Sequence, residues 1–448
     1  AVVPDATPIV PADAPPVEPN IAAVGAPDRW GAGTTGQGVV VATLDTGVDT
    51  TDPDLAATWR GGANSWFDPY GQHPSAPVDL NGHGTSVMGV ITGGAALGSA
   101  IGMAPGARWI AARVFDDAGG SSLSATHLAF QWLLDPDGDP ATADAPQVVN
   151  ASWTFASAGC FTEFAPDIAA LRAAGILPVF AAGNFATQAQ PDATSASPAN
   201  NPGAFAVGSL TASEAVAVDS SRGPSGCGGR TGVFPDLAAP GVGVRTADRG
   251  GFSATVSGTS IAAPHVSGAL ALLLSAHPGL TADQQAAALR QGARDLGAPG
   301  PDDVSGHGML DVPAAEATLA GTHDATGPLT SGPTATPPVA ASGTVTLTAE
   351  ALDAGGTVAG AEWFDGADPG PGAGTPVQAA DGAFDAAAEG LTAAVDAGTL
   401  APGVHALRLR ARDAAGNWGA PAEVTLVVDR AGPEVSGASA SPGTTAGG

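Results

Sequence analysis

The chain has 448 residues, of which 44% are hydrophobic, and this length and composition predict a folded protein of two domains. Its net charge is −28 and all 15 of its basic residues are arginines, so we expect its surface to repel nucleic acid and anionic membranes. No apolar run approaches the roughly 18 residues of a membrane span, which predicts a soluble chain.

Residues 1–20 are rich in proline and lack periodicity, which predicts an extended leader. The chain opens at Ala1 with no basic segment followed by an apolar one. We therefore expect any signal peptide or pro-segment to have been removed or to lie outside this chain.

From Gly38 onward, apolar runs end in polar residues. Four of them predict buried strands: 39–44 before Asp45, 109–115 before Asp116, 148–149 before Asn150, and 176–182 before Asn184. Helical segments at 125–134 and 166–174 lie between them. Buried strands that alternate with helices predict a three-layer α/β domain over 21–320, with a mainly parallel sheet. The ligand site of such a sheet forms at the carboxyl ends of its strands.

Two further helices are predicted toward the end of this domain. One begins near Ser260 and continues to about Ser275, and the next begins at the capping-box pair Thr281 and Gln284. The helical signal stops near residue 320, and the Thr-, Pro- and Gly-rich stretch 321–342 predicts a linker.

The last part of the chain predicts a small all-β sandwich of Ig-like type over 343–430. Its expected strands are 344–349, 358–364, 404–412 and 423–428. In the third of them, three apolar residues alternate with arginines 408, 410 and 412, which predicts one dry and one wet face. Residues 324–337 recur in part at 429–442, so 431–448 is expected to begin a truncated second copy.

Three glycine-flanked segments supply an acid, a base and a nucleophile. They are Leu44-Asp45-Thr46-Gly47, Asn81-Gly82-His83-Gly84-Thr85 and Gly258-Thr259-Ser260-Ile261-Ala262-Ala263-Pro264-His265. A serine hydroxyl is a poor nucleophile unless an imidazole takes its proton and a carboxylate orients that imidazole. We therefore predict Ser260 as nucleophile, His83 as general base and Asp45 as its orienting acid.

Two donors are expected to stabilise a negative oxygen beside Ser260. The first is the backbone N–H of Ser260 at a helix start, and the second is the side-chain amide of Asn184. Each residue alone has a plainer interpretation: Asp45 as a turn residue at a strand end, Ser260 as a helix cap, Asn184 as a turn residue. Their joint occurrence favours the catalytic one, whereas His265 is predicted to be a packing residue.

In the order Asp, His, Ser, and together with Ala181-Ala182-Gly183-Asn184, these segments resemble the subtilisin-like (S8) serine peptidases. The resemblance covers about residues 20–320. Further matching segments are Gly102-Met103-Ala104-Pro105-Gly106-Ala107, Ser220-Ser221-Arg222-Gly223-Pro224, Ala239-Pro240-Gly241 and Gly306-His307-Gly308-Met309-Leu310-Asp311. Val149-Asn150-Ala151-Ser152-Trp153 and Ser197-Pro198-Ala199-Asn200 resemble the bacillopeptidase F-like branch.

The resemblance implies a secreted serine endopeptidase that acts on proteins or peptides and needs no cofactor for its chemistry. It assigns catalytic roles to Asp45, His83, Ser260 and Asn184. It also implies that a substrate pairs as an added strand with two segments. Those segments are Ser152, Trp153 and Thr154 on one side and Gly119, Gly120 and Ser121 on the other.

Three residues depart from the family pattern. Ser86 stands where a second histidine is usual, outside the triad. Thr154 replaces a common glycine at the edge of the pocket for the residue before the scissile bond (P1), and Phe185 follows Asn184 where some relatives carry an acid. Thr154 leaves the width of that pocket open, and Phe185 favours an apolar P1 residue over a basic one.

Cys160 and Cys227 are the two cysteines of the chain. In an exported protein they predict one disulfide, and in a cytosolic protein two inert thiols. The peptidase resemblance favours export, so we predict the disulfide and an extracellular location. We also expect a monomer, with contact to a cell wall or another polymer through the Ig-like module.

Metal binding is left open by the sequence. Asp135, Asp137 and Asp139 flank a glycine as in a calcium loop, but an acidic solvated loop has the same pattern. Asp54 matches a calcium-binding aspartate in some subtilisins, without an evident companion loop. Structural calcium is therefore an option, and none is required for the chemistry.

Two other functions fit the same pattern. A surface or adhesion protein could retain the fold without activity, and a processing peptidase of narrow specificity would carry the same triad. Labelling of Ser260 with a fluorophosphonate tests the first alternative, and a peptide-library cleavage profile tests the second.

Overall fold

The computed structural model describes residues 15–297, 299–319, 327–354 and 356–432. Its contacts divide them into two compact units. The second comprises Gly327–Ala351 and the described residues from Thr357 onward, and the first comprises the described remainder. The first unit is an α/β fold and the second is all-β.

The first unit is built on a seven-stranded sheet in which every neighbouring pair runs parallel. Its strands are β1 (Val40–Asp45), β2 (Trp66–Phe67), β3 (Arg108–Arg113), β4 (Val148–Ala151), β5 (Leu177–Ala181), β6 (Phe205–Leu210) and β7 (Leu237–Pro240). They lie in the order β2-β3-β1-β4-β5-β6-β7. The predicted parallel α/β architecture is confirmed, and β2, β6 and β7 are strands that the sequence analysis did not identify.

Eight α-helices accompany the described strands of the first unit. They are α1 (Pro19–Ala23), α2 (Ala26–Gly31), α3 (His83–Thr92), α4 (Leu123–Leu134), α5 (Ala165–Ala173), α6 (Thr259–Ala276), α7 (Ala282–Gln291) and α8 (Val312–Leu319). Helices α4 to α7 lie close to their predicted positions. At the start of α7 the side chains of Thr281 and Gln284 each accept the other's backbone N–H, so the predicted capping box is confirmed.

Two apolar cores lie on opposite faces of this sheet because successive strand residues point in opposite directions. Val41 belongs to the core that contains α3 and α6, whereas Ala42 belongs to the core that contains α4 and α5. Helix α6 is the one described helix long and apolar enough to cross a membrane, yet 83% of it is buried in the protein. That burial is typical of a core helix.

A hairpin of β8 (Val244–Asp248) and β9 (Phe252–Val256) packs against α3. The buried Ser86 hydroxyl donates to the Ala247 carbonyl at 2.9 Å, and the Thr246 hydroxyl donates to the Ser86 carbonyl at 2.7 Å. Ser86, one of the three residues that depart from the family pattern, therefore attaches α3 to the hairpin.

A buried carboxylate with two arginines lies between β6 and β7. Asp236 accepts hydrogen bonds from Arg230 at 2.8 Å, Arg290 at 2.5 Å and the backbone N–H of Ala206 at 2.6 Å. Burial raises the pKa of this carboxyl, but the two guanidinium groups and the hydrogen bonds outweigh it and lower the pKa to about 2. The group therefore stays charged, as a paired buried ion must.

The predicted leader ends earlier than residue 20. Val17 forms a parallel bridge with Ala100, and α1 begins at Pro19, which suits the first turn because its missing N–H has no partner to lose. Glu18 accepts a hydrogen bond from Arg245, so this stretch is attached to the first unit. The rest of the predicted leader lies outside the described residues.

The second unit has eight strands in the order β10-β12-β15-β14-β13-β16-β17-β11. They are β10 (Leu329–Thr336), β11 (Val339–Ala340), β12 (Thr344–Leu352), β13 (Val358–Asp365), β14 (Thr375–Ala379), β15 (Ala388–Asp396), β16 (Gly403–Asp413) and β17 (Ala422–Val428). The predicted linker 321–342 is wrong for β10 and β11. These are the outermost strands in the order, where proline is tolerated because an edge strand does not need every N–H.

The predicted wet face of β16 is also wrong at one position. Arg410 is only 3% exposed and forms a hydrogen-bonded ion pair with Glu362 of β13, which is 2% exposed. Its guanidinium lies 5.0 Å from the centre of the Phe364 ring and 5.6 Å from that of Trp418. The arginine is buried because its charge is paired and its flat head packs between aromatic rings. Of the expected second copy, 433–448 lie outside the described residues.

Candidate active site

The catalytic candidates come from three ends of secondary structure. Asp45 is the last residue of β1, His83 is the first residue of α3, and Ser260 is the second residue of α6. Nδ1 of His83 lies 2.7 Å from Oδ1 of Asp45. Because an ionised carboxylate can only accept, His83 donates from Nδ1 and carries a free acceptor at Nε2. This is the tautomer that a general base needs.

The surroundings of the His83 and Asp45 pair favour a positive charge on His83. The Asp45 side chain is 1% exposed, and its Oδ2 is buried without a hydrogen-bond partner. The negative charge of Asp45 raises the pKa of His83, which burial opposes and a weaker contribution from Asp79 reinforces. The imidazolium form of His83 is thus stabilised by its surroundings.

The second residue of α3, Gly84, must be glycine because the backbone of Gly47 approaches it closely. A Cβ on Gly84 would lie 2.1 Å from the Gly47 carbonyl oxygen and 3.1 Å from Oδ1 of Asp45. The Gly84 N–H donates to the Thr46 hydroxyl at 2.9 Å. These contacts seat the first turn of α3 against the end of β1.

Asp79 is a site residue that the sequence analysis missed. Its Oδ1 accepts from the N–H groups of Asn81 and Gly82 and from the Thr46 hydroxyl, at 2.8–3.0 Å. Its Oδ2 accepts from the N–H and hydroxyl of Thr85, at 2.9 and 2.7 Å. The available signal was an acid four residues before His83 in a loop that must turn sharply into a helix.

Ser260 meets Ser152, and not His83, in this structure. The Ser260 hydroxyl donates to the Ser152 carbonyl at 3.0 Å, and the Ser152 hydroxyl donates to the Ser260 carbonyl at 2.8 Å. No hydrogen bond joins Ser260 to His83 in the described part of the chain. The structure therefore brings the acid and base together and holds the hydroxyl on the neighbouring backbone.

The amide of Asn184 is held in one orientation. Its Oδ1 accepts the N–H and the hydroxyl of Thr259 at 2.9 and 3.0 Å, so its Nδ2 is directed away from Thr259. A Cβ on Gly258 would lie 3.2 Å from that Nδ2, and the φ of +136° at Gly258 also requires glycine. Nδ2 is thus placed beside the start of α6, where a second donor to an oxyanion belongs.

The two predicted substrate-binding segments are each braced from one side. The Trp153 indole donates to the Leu44 carbonyl at 2.9 Å. In the other segment, the Gly120 N–H donates to a carboxylate oxygen of Asp116 at 2.8 Å, and the Asp116 N–H donates to the Gly120 carbonyl at 2.7 Å. Gly119 has a φ of +78°, which suits a tight turn.

Cys160 and Cys227 form a disulfide across 67 residues of sequence, with their Cα atoms 5.2 Å apart. The segment before Cys160 continues from Thr154, and its Gly159 carbonyl accepts from the amide of Asn200 at 2.9 Å. The bridge therefore reinforces a loop that begins at the predicted P1 pocket.

One group of three carboxylates within metal-binding distance of one another occurs among the described residues: Asp135, Asp137 and Asp144. This group includes Asp135 and Asp137 of the predicted acidic loop, but its third member is Asp144 and not Asp139. Arg60 donates to the Asp144 carbonyl, so a cation there would meet a guanidinium. Asp54 instead accepts a hydrogen bond from the backbone N–H of Ala96.

Comparisons with known proteins agree with this arrangement. The Subtilase family model matches residues 36–308. Bacillopeptidase F of Bacillus subtilis (strain 168) is 35% identical over 317 residues, which are 66% of this chain and 22% of that relative. Subtilisin E of the same organism is 33% identical over 299 residues, with 66% and 70% covered. Subtilisin Savinase of Lederbergia lenta is 35% identical over 299 residues, with 66% and 97% covered. The chain thus spans less than a quarter of the length of bacillopeptidase F.

Proposed function

Because the chain belongs to the subtilase family, we propose that it is a secreted serine endopeptidase that cleaves proteins through an acyl-enzyme. The observation that carries the proposal is the 2.7 Å hydrogen bond between His83 and Asp45, at the end of β1. Ser260 is hydrogen-bonded to Ser152, just after the end of the neighbouring strand β4. The resemblance to secreted Bacillus enzymes supports an extracellular location.

Catalysis begins when the Ser260 hydroxyl turns from the Ser152 carbonyl to Nε2 of His83. His83 takes the hydroxyl proton while the Ser260 oxygen attacks the scissile carbonyl carbon, and Asp45 stabilises the imidazolium. The oxyanion accepts from the Ser260 N–H and Nδ2 of Asn184. When the tetrahedral intermediate collapses, the carbon–nitrogen bond breaks and His83 returns its proton to the leaving amine. Water then repeats the sequence and releases the acid.

The proposal is tested by replacing Ser260 with alanine. We expect casein hydrolysis to fall by about 10⁶-fold, the scale known for nucleophile removal in subtilisin, because no other group supplies the alkoxide. The thermal midpoint should change little. Ser342→Ala, at an exposed serine of the second unit, is the control and should retain full activity.

Labelling with a fluorophosphonate separates the alternatives. The wild type and Ser342→Ala should be labelled, and Ser260→Ala should not. A folded wild-type protein that neither takes the label nor cleaves casein would contradict the peptidase proposal and favour a non-catalytic surface protein. Cleavage of very few members of a peptide library would identify a processing peptidase.

We also propose that P1 is apolar, since Phe185 follows Asn184 where some relatives carry an acid and offers no charge for a basic side chain. For the second unit we propose an Ig-like module that spaces the peptidase from a polymer or cell wall. The eight strands of the second unit support the Ig-like proposal, and the spacing role rests on analogy with other proteins of similar fold.

A further inference from the structure

The helix that carries Ser260 contains a proline in its second turn. Helix α6 runs from Thr259 to Ala276, and Pro264 lies inside it. In a regular helix the Ser260 carbonyl would accept the N–H of the residue four positions later. That residue is Pro264, which has no N–H and whose ring crowds the same carbonyl. The helix therefore leaves the Ser260 carbonyl without its usual donor.

A side chain from the neighbouring strand end supplies a donor instead. Ser152 is the first residue after β4, and its hydroxyl donates to the Ser260 carbonyl at 2.8 Å. The Ser152 residue is 2% exposed. This bond takes the place of the one that Pro264 cannot make, and it attaches the first turn of α6 to the end of β4.

The Ser152 hydroxyl is itself oriented by a buried amide. Nδ2 of Asn150 donates to the Ser152 oxygen at 2.9 Å, and Oδ1 of Asn150 accepts from the Ser267 hydroxyl at 2.9 Å. Asn150 and Ser267 are both 0% exposed. Because a hydroxyl has one proton to give, the donor at Nδ2 leaves the Ser152 proton to the Ser260 carbonyl. The bonds form one chain that begins at Ser267 and ends at Ser260, both on α6.

Ser260 contributes two groups to the proposed chemistry, its hydroxyl and its backbone N–H. Both belong to the stretch of main chain that the Ser152 hydroxyl holds. The Ser260 hydroxyl must leave the Ser152 carbonyl to reach His83, whereas the bond to the Ser260 carbonyl does not depend on that rotation. A misplacement of reacting groups by about 1 Å can lower a rate by about 100-fold. Holding this main chain therefore acts on the chemical step.

We propose that Ser152 and Asn150 are positioning residues, whose side chains hold the main chain of Ser260 by replacing the hydrogen bond that Pro264 cannot donate. The proposal rests on the peptidase function. It goes beyond the substrate-pairing role predicted for Ser152, because strand pairing uses the backbone of that residue and not its hydroxyl. Loss of the hydroxyl should slow acylation and leave peptide binding nearly unchanged.

The first test compares Ser152→Ala with Ser65→Ala. Ser65 is also buried in the first unit, and its hydroxyl donates to the Gly61 carbonyl just before β2, the outermost strand of the sheet. In Ser152→Ala we expect kcat on a fluorogenic peptide to fall by about 10- to 100-fold, with KM within about twofold of the wild type. The rate of fluorophosphonate labelling should fall in the same proportion, because the probe needs Ser260 but forms no strand with the protein. Ser65→Ala should change neither rate.

Pro264→Ala provides the second test. Alanine restores an N–H four residues after Ser260, so the Ser152 hydroxyl becomes one of two donors. Ser152→Ala should then lower the labelling rate by at most about twofold, measured against Pro264→Ala alone. Asn150→Ala removes the group that orients the Ser152 proton. It should slow labelling in the wild-type background and much less in the Pro264→Ala background.

The outcomes decide this proposal separately from the peptidase function. If Ser152→Ala keeps the wild-type kcat and labelling rate, or only raises KM, the positioning role is wrong. An equal loss of rate from Ser152→Ala in the wild-type and Pro264→Ala backgrounds would also overturn it, because the hydroxyl would not be replacing a helical N–H. A wild type that neither takes the label nor cleaves the peptide contradicts the peptidase proposal itself.

Discussion

The carboxylate of Asp79 acts on His83 through the backbone that carries it. It accepts five hydrogen bonds, two from the loop before α3, two from Thr85 in the first turn of α3 and one from Thr46 after β1. Its charge adds to that of Asp45 in raising the pKa of His83. The pKa of His83 is therefore raised by two carboxylates, Asp45 and Asp79, that lie on different segments. Its protonation reports on both.

At the residue scale, we expect the acid limb of the kcat/KM profile to lie above pH 6.5, the ordinary pKa of histidine. A raised pKa means that the base is protonated, and inactive, up to a higher pH. Asp79→Asn should move this limb to lower pH because one negative charge is removed. Profiles of wild type and variant on one fluorogenic peptide measure the shift, with Asp283→Asn, at an exposed position of α7, as control. A limb that stays in place would show that Asp79 supports the loop alone.

At the scale of elements, apolar runs predicted β1, β3, β4 and β5, because a strand covered on both faces has few polar residues. The sequence could not reveal β10, because its Pro333 and the prolines on either side of it are typical of loops, and Pro333 is tolerated only because the strand lies at an edge. Nor could it show that Arg410 is buried, since its partner Glu362 lies 48 residues away. The candidate catalytic residues could be identified in the sequence because glycine-flanked motifs carry them, and their roles stay predictions. The Ser260 bond to Ser152 could not be identified there, because it depends on a side-chain rotation.

Helix α7 offers a test at this scale. Thr281→Ala removes the acceptor for the Gln284 N–H, and we expect the first unit to lose about 1 kcal/mol of unfolding free energy. Thr281→Ser keeps a hydroxyl and should stay close to wild type. Urea unfolding followed by tryptophan fluorescence compares the three proteins. Equal midpoints for the alanine and serine variants would show that the box adds nothing.

At the scale of the whole molecule, the charges are numerous and one-sided. The chain carries 43 acidic and 15 basic residues, so the excess negative charges of the folded molecule repel one another over long range. Added salt screens that repulsion within about 10 Å at 0.1 M. Arginines such as Arg230 and Arg410 offset it locally, because each is paired with a buried acid.

Those arginine pairs have a consequence in alkaline solution. Every side-chain cation other than histidine is a guanidinium, which keeps its proton beyond pH 12, whereas an ammonium would begin to release one near pH 10. Both thiols are locked in the disulfide, and Tyr70 is the single phenol, with a pKa raised above 10.0 by burial. Folded and unfolded chains should thus bind nearly equal numbers of protons from about pH 8 to 10, and the urea midpoint should be flat there. It should decline only as pH rises past 10.0, where an unfolded phenol ionises first. A midpoint that falls steadily from pH 8 would contradict this proton balance.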